Sequence, residues 1–178
     1  MSSKKRLATI WLDGCSGCHM SFLDIDERIL QLAELADIVY SPLVDTKHMP
    51  DAIDIAMVEG SVSTNEDMEK IQKIRARTKI LVAFGDCAVT GNVPAMRNLH
   101  GTEATYNRSY IDNVGLKPQI PTERLPILLE RVVCVHDVVK VDYHLPGCPP
   151  PADAIFYVLT ELIADREPEM QALSRFGK

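Results

Sequence analysis

Four of the five cysteines stand in three short, glycine-flanked segments far apart in the chain, and each segment follows directly on an apolar, β-rich run. Cys15-Ser16-Gly17-Cys18 comes after residues 7–12. Cys87 lies in Phe84-Gly85-Asp86-Cys87-Ala88-Val89-Thr90-Gly91, after residues 79–84. Cys148 lies in Leu145-Pro146-Gly147-Cys148-Pro149-Pro150, after residues 138–143. Segments so distant share one purpose only if the strands before them run parallel in one sheet. The loops beyond the carboxyl ends of such strands line a single edge, and ligands bind there at a switch in strand order. Glycine beside each cysteine lets the backbone turn sharply and frees amide groups to approach an anion.

The remaining pattern predicts that sheet. Asp13-Gly14 closes the first strand, residues 7–12. Ser21 with Asp24 resembles a capping box, and Phe22, Ile25, Ile29, Leu32 or Ala33, and Ala36 recur at helical spacing. Residues 37–41 and 53–58 read as short strands. Thr64 with Asp67 is a second capping box, opening a helix carried by Met68, Ile71 and Ile74. The prolines at 149–151 introduce a last helix with Ile155, Leu159, Leu162 and Ile163 on one side. Strands alternating with helices predict an α/β, doubly wound, mostly parallel sheet of the flavodoxin-like kind, with residues 1–178 as a single domain. The exception is residues 88–137, where Pro94, Pro118, Pro121 and Pro126 interrupt a weakly periodic stretch. Long irregular segments inside a compact domain are usually functional or disordered. This one is expected to be a partner-docking insertion, with a hidden helix around residues 125–131.

Charge and composition exclude several classes. The formal net charge is −6, and the 19 basic residues are scattered apart from Lys4-Lys5-Arg6, so no basic stripe is available to track nucleic acid. Apolar runs such as residues 80–84 fall far short of the ~18 needed to cross a bilayer, so no membrane insertion is expected. Residues 1–6 lead straight into an apolar strand without the pattern of an export signal, which points to the cytoplasm. Cytoplasmic thiols stay reduced, so metal binding or redox chemistry, not disulfide formation, is the expected use of the cysteines.

Four thiolates on one edge match the ligand count of a [4Fe–4S] or [2Fe–2S] cluster. The Cys15/Cys18 spacing alone also suits zinc or a thioredoxin-like pair, but zinc sites usually draw on two close pairs, and a redox pair leaves Cys87 and Cys148 unused. Cys134, with apolar neighbours and no glycine turn, is expected to be a buried small hydrophobe. His19 reads as a helix-start residue, and Asp13 and Asp86 as turn formers beside their glycines. Glu59, at a strand end on the same edge, reads equally as a hydrogen-bonded turn residue or as a carboxylate in proton transfer. A rival in another class is a free-standing flavodoxin-like module carrying FMN. Against it, the loop after the first strand lacks the serine- and threonine-rich character of a phosphate loop and is filled by thiols.

With Cys15-Ser16-Gly17-Cys18, Val58-Glu59-Gly60, Gly85-Asp86-Cys87-Ala88-Val89-Thr90-Gly91-Asn92 and Pro146-Gly147-Cys148-Pro149-Pro150 in this order, the chain resembles the small subunit of [NiFe] hydrogenases, in particular the cytoplasmic NAD-reducing (bidirectional) kind. The similarity runs from about Leu7 to Asp165. It implies that Cys15, Cys18, Cys87 and Cys148 hold the proximal [4Fe–4S] cluster, that this chain has no catalytic residues, and that it relays electrons. The nickel–iron centre would belong to a large subunit, and further iron–sulfur clusters, FMN and NAD to diaphorase iron–sulfur and flavin subunits. Relatives with extra clusters carry added cysteines, and none follows Cys148 here, so one cluster is expected. The complex I relative has adjacent cysteines where Ser16 and Gly17 intervene, which favours the hydrogenase over a complex I type subunit.

Overall fold

The computed structural model describes residues 4–173. Strands β1 (Lys5–Trp11), β2 (Ala36–Tyr40), β3 (Ile53–Glu59), β5 (Thr78–Phe84) and β7 (Tyr143–Leu145) form one sheet in the order β2-β1-β3-β5-β7. All four pairings are parallel. This is the doubly wound, flavodoxin-like order, whose switch point lies between β1 and β3.

Alternation along the central strands sends side chains to two apolar layers. Leu7, Ile55, Met57, Val82 and Phe84 pack against α1 (Gly17–Leu23), α2 (Arg28–Leu35) and α7 (Ala152–Ile163). Ala8, Ile10, Ala56, Val58 and Leu81 face α3 (Asn65–Arg77) and α4 (Asp86–Thr90) on the other side. Burial on both faces explains why these strands read as continuous apolar runs. Among the described residues, no helix is long and apolar enough to cross a membrane.

The capping box at α3 is present as expected. Thr64 Oγ1 accepts the Asp67 N–H at 3.0 Å, and Asp67 Oδ2 accepts the Thr64 N–H at 3.0 Å. Thr64→Ala removes the acceptor and should cost about 1 kcal/mol, seen as a fall of about 2–4 °C in the thermal midpoint.

Three local expectations are corrected. The single helix starting at Ser21 is two helices: α1 begins at Gly17, and Asp26, at φ 61°, breaks the chain before α2. Ser21 is no cap; it sits inside α1 and donates to the Pro150 carbonyl at 2.6 Å. Ala36 belongs to β2. The strand expected over residues 138–143 is only Tyr143–Leu145, because Asp142 takes the pairing role just before it. Its N–H donates to the Leu81 carbonyl and its carboxylate accepts the Leu81 N–H, both at 2.9 Å. Its other partner is Arg75, at 2.7 Å.

The stretch 88–137 contains short helices α5 (Asn92–Ala95) and α6 (Gly101–Asn107), followed by strand β6 (Leu128–Val133) where a helix was expected. β6 pairs antiparallel with β4 (Val62–Thr64), a strand too short to announce itself in the sequence. The chain is thus mostly parallel, with one small antiparallel ribbon beside the main sheet.

Candidate metal centre

Each cysteine segment leaves the carboxyl end of its strand. After β1 the chain turns through Ser16, at φ 62°, into α1, which places Cys15 before the helix and Cys18 in its first turn. After β5, Gly85 adopts φ +88° and α4 begins with Asp86 and Cys87. After β7, the backbone passes Gly147, at φ +138°, to Cys148.

The last two loops are tied to each other. The Asp86 N–H donates to the Gly147 carbonyl at 2.9 Å, and Asp86 Oδ1 accepts the Gly147 N–H at 2.7 Å. Asp86, expected only to shape its own turn, therefore joins the Cys87 and Cys148 loops.

Three of the four sulfurs lie over bare backbone. A Cβ at Gly85 would come within 2.1 Å of the Cys18 Sγ, one at Gly17 within 3.2 Å of the Cys15 Sγ, and one at Gly14 within 3.9 Å of the Cys87 Sγ. Amide donors face two of them as well: the Gly17 N–H donates to the Cys15 Sγ at 3.4 Å and the Asn92 Nδ2 to the Cys148 Sγ at 3.5 Å.

Proximity shows in the electrostatics too. Burial first, then the charges of Glu59, Cys87, Cys15 and Cys148, pushes the Cys18 thiol far up. Burial, and then Cys148, Cys15 and Glu59, raises Cys87. Four thiolates beside a buried carboxylate repel one another, and a cationic inorganic core is what would let them coexist. Four cysteines at the carboxyl edge of the sheet fit an iron–sulfur core in number and donor chemistry.

Behind the sulfurs lies a polar chain that sequence reading did not resolve. Glu59, 2% exposed, ends β3. Its Oε2 accepts the His19 N–H at 2.9 Å, its Oε1 accepts the Cys18 N–H at 3.4 Å, and it pairs with the His19 ring Nδ1. His19 Nε2 lies 3.0 Å from Thr9 Oγ1, which is 2.7 Å from Ser41 Oγ. His19 is thus a buried link and not merely a helix-start residue. Nothing local in the sequence marks Thr9 or Ser41. Asn92 was visible, as the residue that closes the Cys87 motif. Asp13, expected to shape a turn, makes an antiparallel backbone bridge to Ser61 instead.

Cys134 corrects an expectation. It is half-buried and caps a short 3₁₀ turn, Val135–Asp137, where it meets Asp137 and not an apolar wall. No contribution from the other four cysteines shifts it.

Residues 15–162 match the family described as NADH ubiquinone oxidoreductase, 20 Kd subunit. The NAD-reducing hydrogenase HoxS subunit delta of Cupriavidus necator is 42% identical, over 92% of this chain and 80% of its own length. One subunit of the F420-non-reducing hydrogenase vhu of Methanocaldococcus jannaschii is 38% identical over 93% of this chain, which spans only 58% of that relative. A crystal structure of an NAD+-reducing [NiFe]-hydrogenase in the H2-reduced state contains a chain that superposes with TM-score 0.92 at 44% identity, covering 98% of this chain and 99% of that one. A [NiFeSe]-hydrogenase chain from Dm. baculatum, at 18% identity and TM-score 0.60, covers 92% of this chain and 62% of that one, and shares the fold.

Proposed function

Because the chain belongs to the family of the 20 Kd subunit of NADH ubiquinone oxidoreductase, and its sequence and fold resemble subunits of NAD-reducing hydrogenases, we propose that it is the electron-transfer small subunit of an NAD-reducing [NiFe] hydrogenase. The observation that carries the reading is the convergence of Cys15, Cys18, Cys87 and Cys148 at the switch-point edge, over glycines that leave room for sulfur.

In this proposal the four thiolates hold one [4Fe–4S] cluster, which when bound supplies one-electron storage. The chain's own residues do the rest. Glycine backbone and the amide of Gly17, with Asn92, fix the sulfurs and offset their charge, which is how a protein tunes the potential of such a site. Glu59 anchors the amides of Cys18 and His19 from below. A proton held at Glu59 has one hydrogen-bonded route away, through His19 to Thr9 and Ser41.

The nickel–iron site is assigned to a large subunit, and further clusters, FMN and NAD to diaphorase partners, with the whole assembly in the cytoplasm. Residues 88–137 are the docking segment: Met96, Leu99, Leu116 and Ile127 stand out of it largely exposed, as apolar residues do where another protein covers them.

The test is to purify the assembly through a tag on this chain. The nickel-bearing large subunit and the diaphorase should accompany it, with iron and acid-labile sulfide, broad brown absorption that changes under H2, and H2-dependent reduction of NAD+. Iron-free protein with resolved yellow flavin bands in this chain would overturn the proposal in favour of an FMN module. Copurification with a quinone-reducing large subunit would favour a complex I type carrier.

A further inference from the structure

Away from the four gathered cysteines, a second set of metal-type donors converges. The side-chain donor atoms of Cys134, His136 and Asp137 all lie within 4.8 Å of one another, the one such group among the described residues. A tetrahedral ion bound at about 2.0–2.3 Å separates its ligands by about 3.3–3.8 Å, so these three need only small side-chain adjustments to share one. The His144 ring stands edge-on to that of His136, with centroids 5.3 Å apart.

We propose that Cys134, His136 and Asp137 form a structural site for one zinc-type divalent ion, with His144 turning in from β7 as its fourth ligand, separate from the four-cysteine centre.

The backbone around these residues holds them in place. Val135, between two of the donors, is fully buried in the core layer under α3 and α4 and anchors the turn. The turn is closed by reciprocal bonds: the Cys134 N–H donates to Asp137 Oδ2 at 3.1 Å, and the Asp137 N–H to the Cys134 carbonyl at 3.2 Å. One carboxylate oxygen is therefore used to orient Asp137, and the other, Oδ1, faces His136 Nε2 at 3.9 Å. His144 comes from a separate element, β7, where it pairs in register with Ala83. Among the described residues, neither imidazole makes a hydrogen bond within the chain, so both are available as ligands.

The donor chemistry selects the ion. One thiolate, two imidazoles and one carboxylate suit zinc and its borderline neighbours, whereas calcium and magnesium prefer oxygen alone. Binding would release the Cys134 proton, since the thiolate is the ligand. The consequence is mechanical. The ion would staple the turn after β6 to the short edge strand β7, from which the Cys148 loop springs four residues on. The site does not depend on the hydrogenase reading.

The experiment uses the intact assembly, washed anaerobically with EDTA, dialysed against micromolar Zn2+ and then against metal-free buffer. Zinc and iron are counted by mass spectrometry. The wild type should retain one more zinc per copy of this chain than the C134A/H136A double variant, with equal iron in both; the iron content reports that each variant is folded. C134S, H136A and H144A should each weaken zinc retention by at least about tenfold, since even partners of ligands cost that much. Zinc K-edge absorption should show one sulfur near about 2.3 Å, lost in C134A. Equal zinc in wild type and double variant, or zinc gained only as iron is lost, would overturn the site. Unchanged affinity in H144A would overturn the four-ligand assignment.

Discussion

Changing Cys15, Cys18, Cys87 or Cys148 to serine, one at a time, should reduce the iron and acid-labile sulfide retained by this chain at least about tenfold, while Cys134→Ser leaves both intact. A serine hydroxyl is a hard ligand that stays protonated at neutral pH, and it replaces a soft thiolate by neither charge nor polarisability. The loss should be severe at Cys18. Its sulfur is the buried one, and burial together with Glu59 and the three other cysteines already opposes its ionisation. Only the gain from binding a cationic core offsets that opposition, and serine gains least from it. Hydrogen-dependent reduction of NAD+ by the assembly should vanish in the same four variants. Full iron in Cys87→Ser or Cys148→Ser would remove those residues from the site and the proposal with them.

Gly85→Ala should be nearly as damaging, although it alters no ligand. At φ +88° and ψ 151°, a region essentially reserved for glycine, an L-residue is strained by about 1–3 kcal/mol. The larger effect is steric, since the added methyl would stand 2.1 Å from the Cys18 sulfur, less than any nonbonded contact allows. The sulfur must move, and it moves off the position that the other three cysteines share. Gly101 separates the two causes: it has φ +81° and nothing within 4 Å of its virtual Cβ. Gly101→Ala should therefore cost only the backbone strain, read as a lower thermal midpoint with iron unchanged. Equal iron in both glycine variants and the wild type would show that the close approach at Gly85 does not matter.

The parts of the fold that were readable are those where local and long-range demands agree. Buried parallel strands need uninterrupted apolar residues, and residues 55–58 and 80–84 supply them; Thr64 and Asp67 cap a helix wherever it packs. The cysteine segments were readable because each needs glycine at a strand exit. Ser21 and Asp24 misled because a box-like pair also occurs inside a helix, and the real start, Gly17, is hidden within the cysteine loop. Residues 138–141 are apolar but for Lys140, yet irregular, because the Asp142 side chain takes over the pairing that a strand would have made. β4 and β6 find each other only in space, across more than sixty residues. The Glu59–His19 pair is of the same kind: two ordinary polar residues on separate elements, given meaning by burial together.

Depth differs across the sulfur quartet. Cys18 lies buried over Gly85, Cys87 is half-covered, and Cys15 and Cys148 open to solvent. A site so lopsided has a front and a back. Any redox partner arriving from outside meets the outer pair first, which makes that side the shortest tunnelling path in or out. Dissolved oxygen would find the same door, so whichever protein lands there would decide both the speed of the traffic and how long a cluster held on these sulfurs survives in air.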